Sequence, residues 1–368
     1  MSGKQAKLQR RAEKLSEARD WTGLDVLMLR DDAEWLNSLA HGSGIDPNWE
    51  AIAGLALTPH MARIVYEGTA LVRSKRPTQL KALELKFATE IAAARHTVKL
   101  LDDNKKLYDG VIQDFDRIHE QHTDVWAPGE DLALGVRDGR LFTTSRVASF
   151  QHSARLADPV QLGETGYSHR LGFDIGRALP TILKQFGHGM QIIPTPLSLD
   201  ACGQAPRAIT LDRKKYYAER FEPELPLALK DVLTVIEGSV NSGLFLFKPS
   251  EGPFTGPVFR VLFVTLAHSL NALEEIRRKY ADLSKRPGMA SIIDVIDSPE
   301  ALRLRSLRDL RNRCMHYGIP AKLTNLGRDL PVYGLVEATS PGLTFETVQS
   351  YLLDTLAALS DALRDWSP

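Results

Sequence analysis

Only two cysteines, Cys202 and Cys314, occur in 368 residues, too few for a disulfide framework and in keeping with a reducing compartment. Aromatic residues are sparse at 7%, and neither sign of charge predominates, because 46 Lys and Arg balance 46 Asp and Glu. That balance excludes a generally basic nucleic-acid coat but leaves room for a local patch, since fields reach about one Debye length, roughly 8 to 10 Å. Long apolar runs are absent too. The strongest, VFRVLFVTLAHSL, contains Arg260 and His268 and falls short of the ~20 residues that a bilayer span takes. The basic start MSGKQAKLQRRAEKL continues into polar sequence, so no secretory signal is read there. A Walker loop, a G-x-S-x-G elbow and a dinucleotide fingerprint are all missing, which leaves NTPases, serine hydrolases and Rossmann enzymes without a foothold. There is no internal repeat and no low-complexity tract. The expectation is a soluble cytoplasmic protein with no membrane partner.

What is present is an ordinary globular composition, 43% apolar and 25% charged, over a length that exceeds one comfortable core. Three textures divide it. Residues 1 to 125 read as a helical N-terminal region, since apolar residues return every three or four positions in stretches such as TGLDVLMLRDDAEWLNSLA. Residues 126 to 215 read as a mixed α/β segment. There, DLALGVRDGRLFTTSRV sets Asp138-Gly139 between two apolar runs, a hairpin signal, and one helix is expected near GRALPTILKQF. Residues 216 to 368 return to the helical period and suggest a bundle of about four helices, closing with TFETVQSYLLDTLAALSDALRDW. The fold class expected is mostly α, α+β overall, with short strands in the middle segment.

The best-defined element is SPEALRLRSLRDLRNRCMHYGIP, from Ser298 to Pro320. Ser298 suits an N-cap, Pro299 and Glu300 the first turn, and Gly318 and Pro320 a stop, which predicts one helix through Tyr317. At 100° per residue, Leu307, Leu310, Cys314 and Tyr317 share an apolar face, with Leu304 and Met315 beside it. Arg311, Arg308, Asn312, Arg305, His316 and Asp309 then fill a contiguous arc of about 160°. An imidazole exchanges protons near neutral pH, and a guanidinium holds phosphate oxygens bidentately while stabilising charge that develops in phosphoryl transfer. Asn312 lies between the two and can orient the histidine or bind a phosphate or ribose oxygen. No metal-ligand pattern accompanies these residues, so the chemistry suggested is RNA cleavage without a metal or other cofactor.

LRDLRNRCMHYG also resembles the R-x4-6-H motif of the HEPN superfamily, with Arg311 followed by Asn312 and His316 closing the motif. The resemblance covers residues 220 to 368, where a long helix precedes the motif and an amphipathic helix ends the chain. It implies an endoribonuclease whose composite site forms where two copies of the motif meet in a homodimer. The RNA 2′-hydroxyl attacks the adjacent phosphate, leaving 2′,3′-cyclic phosphate and 5′-hydroxyl ends. Arg311 is then the phosphate-binding catalytic residue, Asn312 orients, and His316 acts in proton transfer or phosphate positioning. Toxin-like or antiviral defence roles, with an inhibitor or activator partner, follow from the same resemblance. H-x-Y, the target of tyrosine-modifying antitoxins, is not matched, because Tyr317 follows His316 directly. Helix geometry adds Arg305, Arg308 and Arg313 as RNA contacts, and Tyr317 as a core cap or a base-stacking ring. The alternative is a non-catalytic HEPN-like module that binds RNA, a nucleotide or a protein.

Other features read more plainly. HEQH, with His119 and His122 near Asp114 and Asp116, lacks the H-E-x2-H spacing of zincins and reads as a solvated polar helix before a metal site. His188 in FGHGM reads as a turn residue. His268 reads as a satisfied polar group inside the bundle, or one facing the motif helix. Lys4, Lys7, Arg10, Arg11, Lys14 and Arg19 make a basic N-terminal helix of the surface type.

Overall fold

The computed structural model describes residues 23–40, 47–100, 110–121, 130–153, 166–190, 207–246, 254–320 and 322–366. The basic N-terminal helix, His122 and Cys202 lie outside them. In chain order the helices begin with α1 (Leu24–Ala40), α2 (Pro47–Lys75), α3 (Ala88–Leu100) and α4 (Ile112–Gln121). Strands β1 (Leu132–Arg137) and β2 (Arg140–Thr144) lead into α5 (Ser145–Gln151) and α6 (Tyr167–Gln185), and β3 (Arg207–Leu211) precedes α7 (Arg213–Arg220). The C-terminal part comprises α8 (Leu227–Leu246), α9 (Thr255–Lys279), α10 (Pro287–Ile296), α11 (Pro299–Ser306), α12 (Arg308–Met315), α13 (Leu335–Thr339) and α14 (Phe345–Arg364). The fold is therefore mostly helical with one small antiparallel sheet, as the periodicity predicts.

The sheet follows from local chemistry. Asp138 and Gly139 both take positive φ (50° and 72°), the conformation a two-residue hairpin turn demands and one that Asp and Gly tolerate. β1 pairs antiparallel with β2 on one side and β3 on the other, in the order β2-β1-β3. β3 is exposed along its length, whereas β1 and β2 are mostly buried. The outer edge of β2 is covered by α8. Asn241 donates to the Leu141 carbonyl (2.7 Å), Leu141 N–H donates to Glu237 (3.3 Å), and Gly238 lets the helix backbone reach the strand. Side chains of a helix thus satisfy backbone groups that a bare strand edge would leave open.

Helix α9 is the centre of the C-terminal part. Nearly every side chain from Pro257 to Ile276 is buried, including Arg260, Thr265, His268 and Ser269. It is the one described helix with the length and hydropathy to cross a membrane, and 89% of its apolar window is covered by the rest of the protein. It packs against α1, α8, α12 and α14. Buried apolar residues from Leu24 to Trp366 form one cluster, so the three sequence textures share a single core.

Candidate functional site

The chain from Ser298 to Tyr317 is not one helix. Ser298 caps α11 as expected, its hydroxyl accepting from Ala301 N–H at 3.2 Å, but Leu307 adopts φ −81°, ψ 53° and separates α11 from α12. Nothing local forces this break, because no glycine or proline is present. Leu307 turns inward and is 8% exposed, while α11 packs on α9 and α14 and α12 packs on α9 and α13. Tertiary burial thus overrides the helical period, and the arc drawn on a continuous helix must be corrected. Arg305 stays behind on α11 and approaches Glu274 of α9 at 3.8 Å. Arg308 begins α12 and is exposed.

The apolar face of α12 is as predicted, with Leu310, Cys314 and Met315 buried. Arg311 and Asn312 are half-buried on the other side, and Arg311 Nη2 donates to Asn312 Oδ1 at 3.3 Å. Arg313 donates to the Gly318 carbonyl in the segment that follows its helix, which accounts for that side chain as a contact tying down the chain after α12. Tyr317 departs from the RNA-stacking assignment. It is 2% exposed and donates to Asp32 Oδ2 at 2.7 Å, so no base can reach its ring. Burial pushes the phenol well above its usual pKa, with the Asp32 charge acting in the same direction.

His316 ends α12 in extended conformation (φ −122°, ψ 144°), with its N–H donating to the Asn312 carbonyl at 3.0 Å. Its ring meets a residue the sequence reading missed. Glu67, on α2 and 249 positions away, accepts from His316 Nδ1 at 2.8 Å. The Glu67 side chain is 7% exposed and that of His316 35%. The other Glu67 oxygen accepts from Arg95 of α3, from Nε at 3.0 Å and from Nη2. Burial alone would raise the Glu67 carboxyl, but the bonds from His316 and Arg95 outweigh it and hold it below its usual value. Beside it, Tyr66 is exposed, with the Arg95 guanidinium 4.7 Å above its ring and His96 edge-on at 6.5 Å. A signal for Glu67 exists in the sequence: MARIVYEGTALV places a lone carboxylate among apolar residues of one helix, where it must find a partner.

Beneath this surface lies a buried ionic cluster. Asp32 of α1 accepts from Arg63 of α2 (3.0 Å), from Arg260 of α9 (Nε, 3.2 Å, and Nη2) and from Tyr317. Arg63 also donates to the Cys314 carbonyl at 3.2 Å. Burial acts to raise the Asp32 carboxyl, and the two guanidiniums bring it below its usual value.

The remaining candidates are absorbed by structure. His119 is not a solvated side chain: it pairs with buried Asp231 of α8, and Arg213 donates to its other nitrogen at 2.9 Å. Among the described residues no cluster of three or more His, Cys, Asp or Glu could hold a metal. His188 follows the positive-φ Gly187 in the turn after α6. His268 is buried and lines a cavity of about 40 Å³ together with His60, Ser242 and Ser269.

Compared with protein-family models, with curated proteins and with solved structures, the chain matches none.

Proposed function

We propose that the chain is a cytoplasmic, metal-independent endoribonuclease of the HEPN type, acting as a homodimer in toxin-like or defensive RNA degradation. The observation that carries this reading is the state of His316: a partly exposed imidazole bonded through Nδ1 to Glu67, at the end of the helix that also presents Arg311 and Asn312. Purely structural polar groups of a bundle are usually enclosed, and the Asp32 cluster next door illustrates that alternative.

In this reading the RNA 2′-oxygen forms a bond to phosphorus as the 5′-oxygen leaves. A proton passes from the 2′-hydroxyl to a base, and another reaches the departing 5′-oxygen. No water is consumed, and the ends are a 2′,3′-cyclic phosphate and a 5′-hydroxyl. Arg311 binds the phosphate and stabilises its developing charge, and Asn312, bonded to Arg311, holds that guanidinium in place. His316 exchanges the proton. The exposed Arg308 is a further RNA contact, whereas Arg305 approaches Glu274, Arg313 bonds to the Gly318 carbonyl and Tyr317 is buried.

The test is cleavage of end-labelled total RNA and tRNA in EDTA by wild type, Arg311→Ala and His316→Ala. Wild type should cut and leave cyclic phosphate ends, and each variant should lose activity about 100-fold or more. Folded, dimeric wild-type protein that binds RNA without cutting it would establish the non-catalytic binding module instead.

A further inference from the structure

We infer that Glu67, held by Arg95, is a positioning residue for His316, fixing the imidazole as its Nδ1–H tautomer so that Nε2 carries the lone pair that accepts the 2′-hydroxyl proton. The inference rests on the ribonuclease reading for its last step, and on geometry alone for the tautomer.

An ionised carboxylate only accepts hydrogen bonds and a guanidinium only donates them. Arg95 therefore occupies one Glu67 oxygen as a donor, and the second, 2.8 Å from His316 Nδ1, can only receive the proton of that nitrogen. The proton is thereby excluded from Nε2 in the neutral ring. Orientation has the same source. His316 lies just past the last helical residue, in extended backbone, so the helix does not fix the direction of its ring. Glu67 does, because its carboxylate is 7% exposed and clamped from the far side by Arg95. Arg63 is bonded to Asp32 and the Cys314 carbonyl, and Arg313 to the Gly318 carbonyl. A buried carboxylate behind an imidazole is the arrangement that sets tautomer and orientation in general-base histidines on unrelated folds.

Glu67→Gln separates this role from mere packing, since the shape is kept. The Arg95 donors retain the amide oxygen, which turns the amide NH2 toward Nδ1. Nδ1 must then accept, and the ring proton moves to Nε2. Two measurements follow, using full-length protein labelled with 15N in its histidines. The spectrum of His316 in wild type at pH 8 should be that of the Nδ1–H tautomer, and Glu67→Gln should convert it to Nε2–H. RNA cleavage by Glu67→Gln should fall about 10- to 100-fold in kcat with KM unchanged. A wild-type Nε2–H signal overturns the inference, and needs no variant to fold. Cleavage by Glu67→Gln at the wild-type rate or faster also overturns it, the faster rate making Glu67 a restraint on His316. If wild type shows the Nδ1–H tautomer and cuts no RNA, the ribonuclease reading fails while Glu67 keeps its positioning role.

Discussion

His60 and His152 sit where a proton is costly. His60 is buried, and desolvation together with the nearby Arg63 charge lowers its pKa to about 3. His152 is lowered to about 4 by burial, against the opposing effect of its bond to the Ala148 carbonyl at 3.0 Å. The Thr58 hydroxyl lies 3.1 Å from the other His152 nitrogen and donates to the Gly54 carbonyl at 2.9 Å. Both imidazoles ionise near 6.5 once unfolded, so the unfolded chain binds protons that the folded chain refuses. Stability is therefore complete above about pH 6.5 and declines as pH falls toward 4, by about 1.4 kcal/mol per pH unit for each histidine. Urea unfolding at pH 7, 6 and 5 should show this slope, and His152→Gln should remove roughly half of it. An unchanged slope in His152→Gln would mean that the histidine titrates freely in the fold. None of this is legible in the residue string, because the burial that lowers both values is a product of tertiary packing. The same holds for the partner that Glu67 finds. His316, Arg311 and Asn312 were readable from one short stretch, whereas their anchor sits on a helix 249 positions earlier.

Elements were legible where local chemistry determines them. The Asp138-Gly139 turn, the Ser298 cap and the period of α14 all form as predicted. Leu307 shows the limit: two good helical segments are divided because the core draws that leucine inward, which no propensity records. The contact between α8 and β2 is another element-scale feature that only packing reveals. A Cβ added at Gly238 would lie 2.5 Å from the Phe142 carbonyl oxygen and 3.1 Å from its carbon, both backbone atoms that cannot swing aside. Gly238→Ala gains about 1 kcal/mol of helix propensity, yet it must push the helix off the strand that Glu237 and Asn241 hold. Overpacking of this kind costs about 1 to 3 kcal/mol, and lost edge bonds add to it. The expected outcome is net destabilisation in thermal unfolding. A stabilised Gly238→Ala would mean that the strand edge yields freely.

Across the whole molecule, the candidate site depends on parts of the chain that the sequence textures set apart. Asp32 comes from α1, Arg63 from α2, Arg260 from α9 and Tyr317 from the end of the motif, and all four are buried. Their bonds fasten the surface that carries Glu67 to the helix that carries Arg311 and His316. A signal for this was present: Asp32 falls on the apolar stripe of α1 with Met28, Leu29 and Leu36, and Arg260 interrupts the most apolar helix. Opposite charges on two such stripes need each other. Asp32→Asn would leave two buried guanidiniums without a carboxylate, which costs about 3 to 5 kcal/mol. Tyr317→Phe removes one bond to the same carboxylate and costs less, about 1.5 to 3 kcal/mol. Urea unfolding should rank the two in that order. Because Tyr317 supports the site from beneath, Tyr317→Phe should keep wild-type RNA affinity under conditions where the protein remains folded, measured by filter binding of tRNA. A large loss of affinity in folded Tyr317→Phe would return that ring to the RNA surface and contradict its placement against Asp32.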